Sequence, residues 1–422
     1  MRPFTRSNQS TYSGHLPFRW LPRQQLTMKL TMMIETPRRT PGSDKFIRRQ
    51  RNARKSVGAE VVLLVFGAML APRVGFAQSN LHIDGNTTET AAVGTTSFAT
   101  VVAGFNSGTV GGVPGGTFIV PTGANVVLSG IHIGQAAGST GLINVNGGSI
   151  STTNAESQYY TGFNGSGTFT VSNGGTVTSL SQSYVGYNSG SSGVLTVDGH
   201  GSQYTNTGFF VVGNGGPAQL NVTNGGAVSS PGATLQIGGG STATALVSGT
   251  NSSLTAGTYL GVGVSSGSAG TLTITDGGMA TSGRGTYLAF DGASGSVPAS
   301  TGTITVSNGG LLTSPLLVIG TSGPADLHIE SNGAVSISGR TIVGADAGTS
   351  SLEVSGPGAS LTVQNSELII GGQGNGTMSV SNQGSVNVTG SGSDVDRRSV
   401  RCGIELFLRH PSPGRRGHCH GH

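Results

Sequence analysis

The side chains able to do chemistry in the central part of this chain are sparse and acidic: Asp198, Asp276, Asp291, Asp326, Glu330, Asp346, Glu353 and Glu367. Carboxylates held about 5–10 Å apart can cleave glycosidic bonds as an acid and a base or nucleophile. Only Asp326 with Glu330, or Glu330 with Glu353 one repeat later, are spaced to approach one another. His328 and Arg340 are the cationic side chains near them, and His328 alternates with Leu327 and Ile329, which turns it outward on a strand. At the C-terminal end His418, Cys419, His420 and His422 are ligand types that suit zinc or copper. They lack the spaced ligand pairs and supporting groups of a folded site. Serine-nucleophile, phosphate-loop and calcium-nonapeptide patterns are missing, because the glycines follow the repeat rather than a strand-to-helix junction. The expectation is therefore no catalytic, cofactor-binding or metal-binding residue, no cofactor and no enzyme.

Whatever positions these groups is a repeat. Of 422 residues 74 are Gly, 9% are charged and 5% aromatic, a composition unlike that of a helical enzyme domain, and the 16 prolines and irregular glycine spacing exclude collagen. A unit of the form apolar–x–apolar–x–Asn/Gly–Gly recurs, as in FTVSNGG at 169–175, LNVTNGG at 220–226, LTITDGG at 272–278 and ITVSNGG at 304–310. Its first apolar positions are Phe118, Ile143, Phe169, Leu195, Leu220, Ala245, Leu272, Ile304, Leu327, Leu352 and Met378, a mean period of about 26 residues. The long interval from Leu272 to Ile304 contains the insert DGASGSVPAST at 291–301. Two further apolar elements lie in each unit, one marked by Val177, Val228, Leu312, Val335 and Val386, the other by YVG at 184–186, LQIG at 235–238 and IVG at 342–344.

Three short strands cannot enclose a dry interior alone. Stacked at ~4.8 Å they can, with aliphatic side chains piled inward and each coil's backbone paired to the next. The pattern predicts an all-β chain, a single-stranded right-handed parallel β-helix of about 11 coils and about 50 Å, over residues 118–392. Residues 78–117 are expected to cap it and lead into it. Asn173, Asn224, Asn308 and Asn382, with Asp276, fall at one corner, where a left-handed backbone and stacked amides are expected.

The formal charge of +5 divides unevenly. Residues 1–77 carry 14 Lys and Arg against 3 acids, and residues 393–422 carry 6 against 3. The middle holds only Arg284 and Arg340 against 11 acids. Such a surface repels phosphate, so nucleic acid is excluded as a partner. Arg48 to Lys55 precede VVLLVFGAMLA at 61–71, too short to span a bilayer, and the small Gly75 and Ala77 suit signal-peptidase cleavage after Ala77. Residues 1–77 thus read as an extended N-region with a signal peptide. Both cysteines, Cys402 and Cys419, lie outside the repeats. Residues 393–422 break the composition and read as an aberrant, disordered tail.

The stretch GSGTFTVSNGGTVTSLSQSYVGYNSGSSGVLTVDGHGSQYTNTGFFVVGNGG at 165–216 resembles the repeats of bacterial autotransporter passenger domains, the type V secretion repeat also seen in proteins with exosortase sorting signals. The resemblance spans about 118–390. It implies a rod exported across the inner membrane of a Gram-negative bacterium and displayed at the cell surface or released. Its role would be adhesin-like, with surface glycans or proteins of host or bacteria as partners. The alternative is a β-helical enzyme acting on extracellular polysaccharide. The outer-membrane translocating barrel that such proteins use has no counterpart here as ten-residue alternating strands, and no Pro-Glu-Pro signal is present.

Overall fold

A computed structural model describes residues 79–105, 115–152, 158–346, 348–389 and, as backbone, 395–397. The chain divides into two units, Met1–Phe66 and Gly67–His422, and every described residue belongs to the second. The signal peptide with its cleavage after Ala77, the disorder expected of both ends, and His418, Cys419, His420 and His422 lie outside the described residues. Strands, turns and bends make up what is described, and among the described residues no helix is long and apolar enough to cross a membrane.

The molecule is a parallel β-solenoid of about eleven coils, each visiting three columns. In one coil Ser192–Asp198 lies in the first column, Gln203–Asn206 in the second and Phe210–Val212 in the third. Ala218–Thr223 then returns to the first, in parallel register with Ser192–Asp198. The first column is a sheet of 12 strands. The second and third form one 23-stranded sheet, because Gly94–Ala103 and Ala124–Ile133 run through both without a corner. Residues 81–103 already place a strand in every column, and Val395–Arg397 continues the third by pairing with Leu368–Ile370.

Alternation decides what each strand buries. All eleven repeat anchors, from Phe118 to Met378, fall opposite one another in a single register. None is more than 3% exposed. Leu195, Val197, Leu220 and Val222 are all at 0%. Burying one such Leu or Val contributes about 1.5–3 kcal/mol relative to leaving it in water, and the anchors form one continuous core.

Corner chemistry fixes the register. After the first column Asn173–Gly174, Asn224–Gly225, Asp276–Gly277 and Asn308–Gly309 all have positive φ, between 48° and 88°. The next amide closes each turn, as Gly175 N–H does on Ser172 O at 2.9 Å. Two consecutive left-handed residues make a type I′ turn, which Asn-Gly adopts most readily. The asparagine amides do reach across coils, with one difference from the expected stack of amide on amide. Their partner is the residue ending the neighbouring strand: Asn146 Oδ1 for Asn173 at 2.6 Å, Asp198 Oδ1 for Asn224 at 2.7 Å, Ser355 Oγ for Asn382 at 3.1 Å. A carboxylate or hydroxyl there accepts as well as an amide.

At the corner closing each coil, backbones meet almost in contact. A Cβ on Gly193 would lie 2.3 Å from Thr161 O and 2.5 Å from Gly186 N, so only the smallest residues fit. The insert leaves the ladder untouched. Leu272 faces Ile304 in register, while residues 291–300 leave the stack as a loop closed by Ser294–Val297 hydrogen bonds of 3.0 and 3.1 Å and by Ser300 N–H on Asp291 O at 3.0 Å.

Candidate functional site

The three outer faces differ in chemistry. On the first column the acids act as local acceptors. Asp198 Oδ1 accepts from Thr223 Oγ1 at 2.6 Å as well as from Asn224, and Asp326 Oδ1 accepts from Ser351 Oγ at 2.5 Å. His328 points outward, and its Nδ1 lies 3.2 Å from Glu353 Oε2, directly opposite in register. Of the two carboxylate pairs considered from sequence, Asp326 with Glu330 is not assembled. Those two are four residues apart along an extended segment, about 13 Å, whereas Glu330 and Glu353 are diagonal neighbours on adjacent coils, about 8 Å apart by strand rise and spacing, with His328 at Glu353. Arg340 is on another corner, 3.3 Å from Glu367. No group of three or more His, Cys, Asp or Glu that could hold a metal ion occurs among the described residues.

A shallow cleft of about 390 Å³ opens on this face between Asn86, Thr117, Leu142 and Thr168, lined otherwise by Gly115, Gly116, Thr140 and Gly141. Its lining carries no ionisable side chain.

The second face is a ladder of hydroxyls, Thr178, Thr205, Ser229, Thr255, Thr281 and Thr313 standing in register. Exposed Ser and Thr at such positions stay hydrated and hold the strand conformation.

The third face is different, and sequence reasoning missed it. Its outward positions run in register through Val102, His132, Tyr160, Tyr184 and Val211, and later through Tyr287, Val318, Ile342 and Ile369. Phe163 and Tyr187, in the turns that follow two of these strands, lie alongside. Tyr160 and Tyr184 are nearly parallel with centroids 5.6 Å apart, as are Phe163 and Tyr187 at 5.4 Å and His132 and Phe163 at 5.2 Å. Between the two rows the rings meet edge to face, Tyr160 with Tyr187 at 4.5 Å and Tyr184 with Tyr187 at 4.8 Å. Such offset and T-shaped pairs contribute about 0.5–1.5 kcal/mol each beyond burial. A smaller group, Tyr259, Tyr287 and the exposed Phe290, lies farther along, with centroids 5.6 and 5.9 Å apart.

Packing dries this face. Burial pushes the Tyr160 and Tyr184 hydroxyls well above the ordinary tyrosine range and pulls His132 below its ordinary 6.5. Each tyrosine hydroxyl donates to the side-chain carbonyl of the glutamine two residues earlier, Gln158 or Gln182. From Leu81 to Ile370 no third-column strand contains Asp, Glu, Lys or Arg. The sequence signal was present in YVG at 184–186, whose Val185 is inward and whose Tyr184 therefore faces out.

A second unforeseen feature is internal. Inward positions ending the second column are polar in several coils, and they satisfy one another. Fully buried Asn206 donates to the carbonyls of Gly208 and Phe209 at 2.6 and 3.1 Å and accepts from Ser183 Oγ at 2.8 Å, while Tyr204 Oη donates to Ser183 at 2.9 Å. Ser282 and Ser314 pair at 2.7 Å in the same position further on. These groups cap the backbone where it turns.

No family model matches the sequence, and no curated protein matches it. Among solved structures the chain is similar to a TibC-catalysed, hyper-glycosylated TibA fragment spanning that protein's residues 55–350. The TM-score is 0.39 and the identity 20%, over 78% of this chain and 94% of that one. A likeness of that size carries nothing about what this chain does.

Proposed function

We propose that the chain is a secreted or surface-displayed passenger rod of the autotransporter kind, serving in adhesion or cell contact without catalysis. One observation carries this reading. Each described coil repeats the same three-column section, and the acids on its first-column face, Asp198, Asp326 and Glu353, are each tied to a neighbouring hydroxyl, amide or imidazole rather than gathered around a reacting position. The type V repeat resemblance of 165–216 and the predicted cleavage after Ala77 add the route: export across the inner membrane and passage outward through a barrel.

Epitope-tagged chain in the source bacterium tests this. The tag is expected in the medium or to be removed by protease added to intact cells, and deletion of the gene is expected to reduce attachment to glycan- or protein-coated surfaces. Tag confined to the cytoplasm would sink the reading. Release of reducing ends from polysaccharide by the purified chain would replace it with an enzymatic one.

A further inference from the structure

We propose that the ring ladder of His132, Tyr160, Phe163, Tyr184 and Tyr187 binds a neutral, unbranched polysaccharide lying parallel to the stack axis. This rests on the adhesive reading above and names its ligand class.

Three observations point the same way. The first is charge. The third-column strands that carry the ladder and its neighbour Phe210–Val212 are free of Asp, Glu, Lys and Arg, and the described arginines, Arg284, Arg340 and Arg397, belong to later coils. Among the described residues an anionic glycan would find no cation here, whereas a neutral one needs none. The second is spacing. Rings of one row recur at 5.0 to 5.6 Å along the axis, close to the advance of one hexose in an extended chain, so successive sugars meet successive rings. Two of these steps, Tyr160 to Tyr184 and Phe163 to Tyr187, keep the rings within 13° of parallel and present the same aspect, while His132 meets Tyr160 edge to face at 85°. The third is the rim. Gln158 and Gln182 accept from the tyrosines and retain their amide N–H groups, and Asn188, bonded to Asn164 at 2.8 Å, extends a row of amides beside the rings. A sugar offers C–H groups to the rings and hydroxyls to the amides. A wholly apolar partner would bury those amides unpaired, which is unfavourable.

The test is affinity electrophoresis of the purified full chain in gels containing hydroxyethylcellulose, a soluble neutral glucan, or polygalacturonate, an anionic one. Wild type is expected to be retarded by the first and not by the second. The double variant Tyr184→Ala with Tyr187→Ala is expected to lose at least ten-fold in apparent affinity. Should it fail to fold, Phe163→Leu with Tyr187→Leu keeps apolar bulk while removing two rings, and is expected to lose binding with an unchanged far-ultraviolet circular dichroism spectrum. Wild type unretarded by the neutral glucan, equal retardation by both polymers, or full binding by a folded variant would overturn the proposal. Cell attachment that persists in a chain indifferent to the neutral glucan overturns the ladder's role and leaves the surface reading standing.

Discussion

Gln383 has a backbone φ of 71° in the turn that follows Asn382, at the place where Gly174, Gly225, Gly277 and Gly309 stand in other coils. A side chain in that region is strained, so Gln383→Gly should stabilise the protein by about 1 kcal/mol, read as a higher thermal midpoint. Asn206 presents the opposite case. Its amide is fully committed, and Asn206→Ala would take one donor each from the Gly208 and Phe209 carbonyls, which keep Ser230 Oγ and Ser183 N–H, and would leave the buried Ser183 hydroxyl without an acceptor. The expected loss is about 1–3 kcal/mol in denaturant unfolding. His132 supplies a pH signature. Its folded value lies below the ordinary 6.5, so the unfolded chain binds the proton more readily. Its contribution to stability is therefore full above pH 6.5 and declines as pH falls below it. A thermal midpoint dropping between pH 7 and 5 in wild type, and dropping less in His132→Gln, is the expected result.

At the level of the strand, one position decides whether a coil closes. Leu195→Ala removes a fully buried side chain between Phe169 and Leu220, and about 2–5 kcal/mol of destabilisation is expected by chemical denaturation. Gly193→Val should be worse than a cavity, because its side chain collides with the Thr161 and Gly186 backbone, and soluble yield is the quantity to watch. These elements were legible from sequence because inward residues must be apolar and corners must be Asn or Gly. All eleven anchors and the Asn corners followed from those two demands. What sequence left hidden lies where the demand relaxes. Asn206 sits inward yet polar because its amide donates within the turn, and Tyr184 sits outward yet aromatic because the neighbouring coil supplies Tyr160 and its own following turn supplies Tyr187. Each also has one partner on the adjacent coil, Ser183 for Asn206 and Tyr160 for Tyr184, which periodicity aligns but does not chemically identify. The contact of His328 with Glu353 was hidden for the same reason, since only the register between coils sets the two directly opposite.

Across the molecule, each coil touches only its neighbours, so stability should add coil by coil. Gly193 and Ala218 occupy equivalent places, and removal of residues 193–217 joins Ser192 to Ala218 with every column preserved. That shortened chain is expected to fold, with β-rich circular dichroism and undiminished protease resistance. Removing only 193–205 places Asn206 where a first-column residue belongs, and should yield aggregate. The loop at 291–300 shows that nature has already tried addition at such a junction: extra chain departs between two strands, is tied at its base by Asp291 and Ser300, and Leu272 still meets Ile304. That junction is a ready graft point, where a foreign peptide could be carried clear of the scaffold as an antigen or affinity handle, the host architecture indifferent to its cargo.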